Sequence, residues 1–308
     1  MPLKNNHLIN ARQNKNNEFY TQYQDVESEV MKFADRFKEK VVYCPCDNEN
    51  SQFVKFFVNN YHKLGLSGLF ASAIDGKTIH YDGEKTVDCE MDNIDITKDE
   101  YLNLLDVCDI VVTNPPFSLF VKFLQSIVDN NKEYLIIGQQ NSITCKSVFE
   151  NIMTGKVHLD YGFKGIAGWF YTPDDYIDYA TSGDHRDGLI RVSGVIWYTS
   201  FNCEDENPFI ELKSSYYNED GTSNNKKYRF FDNFRTISGL DEDCINIGKV
   251  KDIPYDYHGY MGVPVSFFGK YNPKQFELIQ LDHYGPLGNL DNVVDGKTVY
   301  RRIYIKRK

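Results

Sequence analysis

Between residues 41 and 138, short apolar runs alternate with segments of helix length, and this alternation restricts the fold more than any other feature. Val41-Val42-Tyr43-Cys44, residues 68–74, 109–113 and 133–138 read as strands. They are rich in β-branched and aromatic residues and lack the polar alternation of a half-exposed strand. Phe53, Phe56, Phe57, Asn60, Tyr61 and Leu64 recur at helical spacing, and residues 99–107 and 118–129 predict two further helices. A polar, hairpin-like stretch over 78–87 interrupts the series. Strands joined by helices make right-handed crossovers, which predicts an α/β fold with a mostly parallel sheet and helices on both faces. Such sheets bind ligands beyond the carboxyl ends of their strands.

One strand ends in an unusual way. After Asp109-Ile110-Val111-Val112-Thr113 the chain reads Asn114-Pro115-Pro116-Phe117 before helical spacing resumes. The two prolines lack amide hydrogens and have fixed φ, so neither a ladder nor a helix runs through them. The result is a rigid corner carrying an amide and an aromatic ring. An exocyclic amine on a purine is a poor nucleophile, because its lone pair is delocalised into the ring. Two acceptors aimed at its hydrogens favour a pyramidal nitrogen and turn the lone pair toward an electrophile. The Asn114 side-chain oxygen and the Pro115 carbonyl are suited to that role, Pro116 stiffens the corner, and Phe117 offers a face for stacking. The competing reading is a strand that simply stops at two prolines.

The rest of the chain is less regular. Residues 147–152 predict a helix, and 165–170 and 195–198 predict strands. Residues 202–250 are rich in Asn, Asp, Ser and Lys and read as having little regular structure. A boundary near residue 200 separates a first domain, 1–200, from a second, 201–308. No apolar run approaches the about 20 residues that span a bilayer, and residues 1–17 lack the apolar stretch of a secretory signal. Seven cysteines without regular spacing suit a reducing cytoplasm, and Cys44-Pro45-Cys46, the one close pair, has no second pair to complete a metal site. The net charge of −10 argues mildly against a nucleic-acid partner. Distribution counts for more, and Lys226, Lys227 and Arg229 lie among aromatics while the chain closes on Arg301-Arg302-Ile303-Tyr304-Ile305-Lys306-Arg307-Lys308.

The tetrapeptide after an apolar strand is the motif of amino methyltransferases that use S-adenosyl-L-methionine, and the chain resembles more specifically the EcoRI family of adenine-specific (N6) DNA methyltransferases. The resemblance is carried by "NNEFYTQY" at 16–23, "KVVYCPCD" at 40–47, "CDIVVTNPPFSLF" at 108–120, "LIIGQQNSIT" at 135–144 and "KDIPYDYHGYMGVPVSFFGKYNPKQFELI" at 251–279. These follow one order along nearly the whole chain. It implies a Rossmann-like class I methyltransferase sheet in the first domain and a target-recognition region in the second. It further implies methyl transfer to a flipped-out adenine in duplex DNA, within a restriction-modification system or as an orphan activity, by a cytoplasmic protein.

For the cofactor, the resemblance implies Phe19, Tyr20 and Thr21 in an N-terminal segment and Tyr43, Cys44 and Asp47 in place of the usual glycine-rich loop. Asn114 adjoins them. Asp47 would orient the methionine amine, or else form an Asx turn before the helix. Asp75 would meet the ribose hydroxyls, with a plain Asp-Gly turn as the alternative. Asp95, or its neighbour Asp92, would meet the cofactor's adenine. Trp169 or Phe170 would complete the sandwich on the target base, and Lys226, Lys227 and Arg229 would contact the DNA backbone. No metal is expected, a monomer is, and a cognate restriction endonuclease acting on the same site is a possible counterpart. A methyltransferase acting on RNA or on protein glutamine shares the motif. An inactive DNA-binding homologue is the other alternative, and the missing glycines at 44–47 are its support.

Overall fold

A computed structural model of the chain describes residues 20–73, 77–89, 102–163, 167–171, 185–186, 188–203, 207–223 and 226–308. It divides into two compact units, Met1–Ser142 with Lys156–Phe201, and Ile143–Gly155 with Asn202–Lys308.

The first unit is built on an eight-stranded mixed sheet. Its strands are β1 (Val41–Pro45), β2 (Gly68–Ser72), β3 (Thr78–Tyr81), β4 (Thr86–Cys89), β5 (Ile110–Thr113), β6 (Glu133–Gln139), β7 (His158–Asp160) and β11 (Val195–Thr199), in the order β4-β3-β2-β1-β5-β6-β11-β7. The four central strands, β2, β1, β5 and β6, run parallel, as the alternation with helices predicts. β3 and β4 continue the sheet antiparallel on one side, and β11 and β7 on the other. Every residue of β5 and β11 is buried, which accounts for sequences that lack polar alternation and are apolar up to a closing threonine.

Two helices fix the ends of the strands that matter most. α2 (Gln52–Leu64) follows α1 (Tyr23–Val30) in the chain and starts where the Val54 N–H donates to the Ser51 hydroxyl at 3.1 Å. It ends at Gly65, whose φ of 66° closes the helix in the left-handed conformation. Its face of Phe53, Phe56, Phe57, Tyr61 and Leu64 is buried against the sheet core. After α3 (Leu102–Val107) and β5 comes α4 (Phe120–Asp129), which buries Phe120, Phe123, Leu124, Ile127 and Val128, spaced 3, 1, 3 and 1 along one face. Gly138 of β6 is required beneath it, since a Cβ there would lie 2.3 Å from the Phe120 ring. A small antiparallel sheet of β8 (Ala167–Tyr171), β9 (His185–Arg186) and β10 (Leu189–Ser193) completes the unit.

The second unit holds α5 (Lys146–Met153), α6 (Phe234–Ser238) and a five-stranded sheet of β12 (Arg229–Phe230), β13 (Cys244–Asn246), β14 (Tyr260–Pro264), β15 (Phe276–Leu281) and β18 (Arg302–Arg307), ordered β12-β13-β14-β18-β15. A two-residue pair, β16 (Val293–Val294) with β17 (Lys297–Thr298), forms a separate hairpin. The basic run at the end of the chain is therefore an interior strand between β14 and β15. Ile303, Tyr304 and Ile305 are fully buried, while the Arg302 guanidinium donates to the Asn246 side chain at 2.9 Å and to the Tyr300 carbonyl at 2.7 Å. Among the described residues no helix is long and apolar enough to cross a membrane.

Candidate active site

The central sheet reverses its winding between β1 and β5, since β1 is followed in the chain by its neighbour on one side and β5 lies on the other. Chain segments leave such a point in opposite directions and open a crevice at the carboxyl ends. A cavity of about 350 Å³ occupies this position, lined by residues that follow β1, residues that follow β5, and Tyr20, Thr21 and Tyr171.

The loop after β1 makes its turn without glycine. Cys46 takes a φ of 68°, the left-handed conformation for which glycine is the usual choice. The turn sends the Asp47 N–H to the Ser72 carbonyl at 3.0 Å and buries the Asp47 carboxyl at the cavity wall. Burial pushes the Asp47 pKa up to about 7, against hydrogen bonds from Thr113 and Ser51 that favour the ionised form. The Thr113 hydroxyl lies 2.7 Å from Asp47 Oδ2 and also meets the Pro45 carbonyl.

Across the crevice, Asn114 leaves β5 half-buried, Pro115 is buried, and Pro116 and Phe117 are half-buried. The corner is stiffened on its far side, where the Leu119 N–H donates to the Pro116 carbonyl at 2.9 Å. Phe117 packs one side against the core while lining the cavity. Tyr20 and Tyr171 exchange backbone hydrogen bonds at 2.9 and 2.8 Å, and the Gln22 amide donates to the Trp169 carbonyl at 2.7 Å. This pairing brings Thr21 to the corner. Asn114 Nδ2 donates to Thr21 Oγ1 at 3.3 Å, which puts the Asn114 amide oxygen on the side away from Thr21. The arrangement can present two rigid acceptors, Asn114 Oδ1 and the Pro115 carbonyl, to an amine held against an aromatic ring.

The structure gathers Tyr20, Thr21, Asp47, Asn114, Pro115, Pro116 and Phe117 around this one cavity. Four other residues named from the sequence, Tyr43, Cys44, Trp169 and Phe170, lie outside its lining. Tyr43 and Cys44 are fully buried below the cavity, where the Tyr43 hydroxyl meets the Ser72 hydroxyl at 2.9 Å; they support the loop from behind. Phe170 is likewise fully buried, 5.7 Å from the Phe163 ring, and has no face left for a base. Trp169 is half-buried and lies outside the cavity lining. Tyr171, two residues further along β8 and on the same face of the strand, is 45% exposed and lines it. The alternation of a strand from a buried Phe170 was the available signal for Tyr171. Ser51, Phe53, Asn48 and Asn50, also in the lining, carried no distinguishing signal. Phe19, Asp75 and Asp95 lie outside the described residues.

In the second unit Lys226, Lys227 and Arg229 are exposed. Lys227 is 3.6 Å from Asp252, and Arg229 is 2.9 Å from Asp295. Among the described residues no group of three His, Cys, Asp or Glu side chains is placed to hold a metal ion.

Comparison with known proteins supplies an independent line. The family described as "Adenine-specific methyltransferase EcoRI" matches residues 7–97 and 88–308. The Type II methyltransferase M.EcoRI of Escherichia coli is 36% identical over 98% of this chain and 96% of its own length. The Type II methyltransferase M.MgeORF184P of Mycoplasma genitalium is 32% identical over 98% of this chain and 99% of its own. M.MpnI of Mycoplasma pneumoniae, also a Type II methyltransferase, is 32% identical with 98% of each chain covered. No solved structure matches the chain.

Proposed function

This chain belongs to the EcoRI family of adenine-specific methyltransferases, and we propose that it transfers methyl from S-adenosyl-L-methionine to the N6 amine of an adenine flipped out of duplex DNA. The observation that carries this reading is the meeting of Asn114, Thr21 and Asp47 in one cavity at the crevice between β1 and β5.

When bound, S-adenosyl-L-methionine supplies a methyl group on a sulfonium, an electrophile that needs no metal. The residues present fit such a molecule. Asp47 is a buried carboxyl at the cavity wall, suited to an amino-acid ammonium, and the left-handed turn at Cys46 does what a glycine does in other loops of this kind. Phe19, Asp75 and Asp95 are proposed for the remainder of the cofactor.

On the target side, Asn114 Oδ1 and the Pro115 carbonyl accept the two N6 hydrogens and favour the pyramidal nitrogen. Thr21 holds the amide in that orientation. Phe117 forms one face of the base sandwich, and the exposed Tyr171 replaces Trp169 and Phe170 as the proposed second face. The sheet of the first unit supports a Rossmann-like class I catalytic domain, and the second unit is the proposed target-recognition region. There Lys227 and Arg229 would exchange their surface carboxylate partners for phosphates, which costs little because such pairs are weak, and the exposed Lys226 would add a further contact. A monomer treating each strand in turn, with or without a cognate endonuclease, completes the proposal.

The test is transfer of labelled methyl to unmethylated bacterial duplex DNA, with RNA and protein acceptors in parallel and the product nucleosides separated. Label in N6-methyladenine from DNA is the expected result. Label confined to RNA or protein would overturn the choice of substrate.

A further inference from the structure

The backbone ladder between β1 and β5 stops short of the active site. These strands pair at Val42 with Ile110 and at Tyr43 with Val111, whereas β1 stays paired with β2 as far as Pro45 and Ser72. Beyond Tyr43 the two strands part, and the cavity opens where they do. A side chain bridges the gap. Thr113 is fully buried, at a position in an apolar strand where a hydrocarbon would satisfy packing. Its hydroxyl instead reaches the Pro45 carbonyl and, at 2.7 Å, Asp47 Oδ2. Pro45 has no amide hydrogen with which to continue the ladder itself.

We propose that Thr113 is a positioning residue for methyl transfer, its hydroxyl clamping the open ends of β1 and β5. The clamp sets the separation between Asp47, on the cofactor side, and Asn114, which is the next residue along the chain from Thr113. Thr113 touches neither reactant. It acts by holding the loop that carries one binding group and the corner that carries the other, and a displacement of about 1 Å between reacting partners costs on the order of 100-fold in rate. This inference rests on the reading given under Proposed function.

Thr113→Ser and Thr113→Ala both lose the γ-methyl and differ only in the hydroxyl, so the pair separates clamping from packing. Thr113→Val keeps the volume and loses the hydroxyl. Each is assayed as full-length protein for kcat, KM for S-adenosyl-L-methionine, KM for DNA and thermal midpoint. The serine variant is expected to keep kcat within about threefold of wild type, and the alanine and valine variants to lose about 10- to 100-fold, with a raised KM for the cofactor and an unchanged KM for DNA. Equal kcat in the serine and alanine variants, whatever their melting points, would reduce Thr113 to a packing residue and overturn the proposal. A wild-type protein that methylates no DNA would instead defeat the underlying functional reading, so the two failures are distinguishable. If valine fails to fold, the serine and alanine comparison decides alone.

Discussion

Asp47 shows how one buried group joins structure to pH. Its carboxyl titrates near 7 because burial outweighs the hydrogen bonds from Thr113 and Ser51. A cofactor ammonium needs the ionised form, so affinity for S-adenosyl-L-methionine should strengthen as pH rises from 6 through 7 and level off above. Asp47→Asn should flatten this profile and weaken binding above pH 7 by about tenfold or more, as loss of a charge-assisted hydrogen bond implies. Calorimetric titration of both proteins between pH 6 and 8.5 checks it; a wild-type affinity independent of pH would contradict the assignment. The corner at Asn114 to Phe117 was legible in the sequence, because two prolines stop both a ladder and a helix. Thr113 was not legible, since a threonine in a strand reads as an ordinary β-former until its hydroxyl is placed. Which of Trp169, Phe170 and Tyr171 faces the core was not legible, because phase depends on the partner strands and not on local composition.

Among the elements, β5, the corner and α4 form one continuous arm, packed down where Phe120 lies over Gly138 of β6. Gly138→Ala should force Phe120 to move, cost about 1–3 kcal/mol of stability by overpacking, and slow methyl transfer although it lies outside the cavity lining. Urea melts with parallel activity assays measure both; an unchanged melt with full activity would show the arm to be compliant. The strands β1, β2, β5 and β6 and the helices α2 and α4 were readable from periodicity, since each presents an apolar run or face of ordinary length. β18 was hidden. Ile303, Tyr304 and Ile305 are flanked by five cations, and only pairing with β14 and β15 shows that the buried Arg302 has internal acceptors. The loop after β1 was read as the cofactor loop only through the resemblance, since its left-handed residue is Cys46 and no glycine marks it.

Taken whole, the molecule carries a net charge of −10 and yet buries carboxyls that resist ionisation. Glu29 is the second of these. Burial and the nearby Asp160 push its pKa up to about 8 despite the Lys32 ammonium at 2.8 Å, and its Oε1 has no hydrogen-bond partner among the described residues. A carboxyl whose folded pKa is raised contributes stability that is complete below its unfolded pKa of 4.5 and lost as pH rises through about 8. The thermal midpoint should therefore fall between pH 6 and 8.5, and Glu29→Gln should reduce that slope; an identical slope in the variant would place its origin elsewhere. The central claim concerns Asn114, and the single-turnover rate of methyl transfer by Asn114→Ala, with cofactor and DNA both saturating, tests it most directly. Retained binding of both with a rate reduced by about 100-fold or more is the predicted result, the scale of losing one preorganised acceptor. A rate within a few-fold of wild type would mean that the corner does not act on the amine.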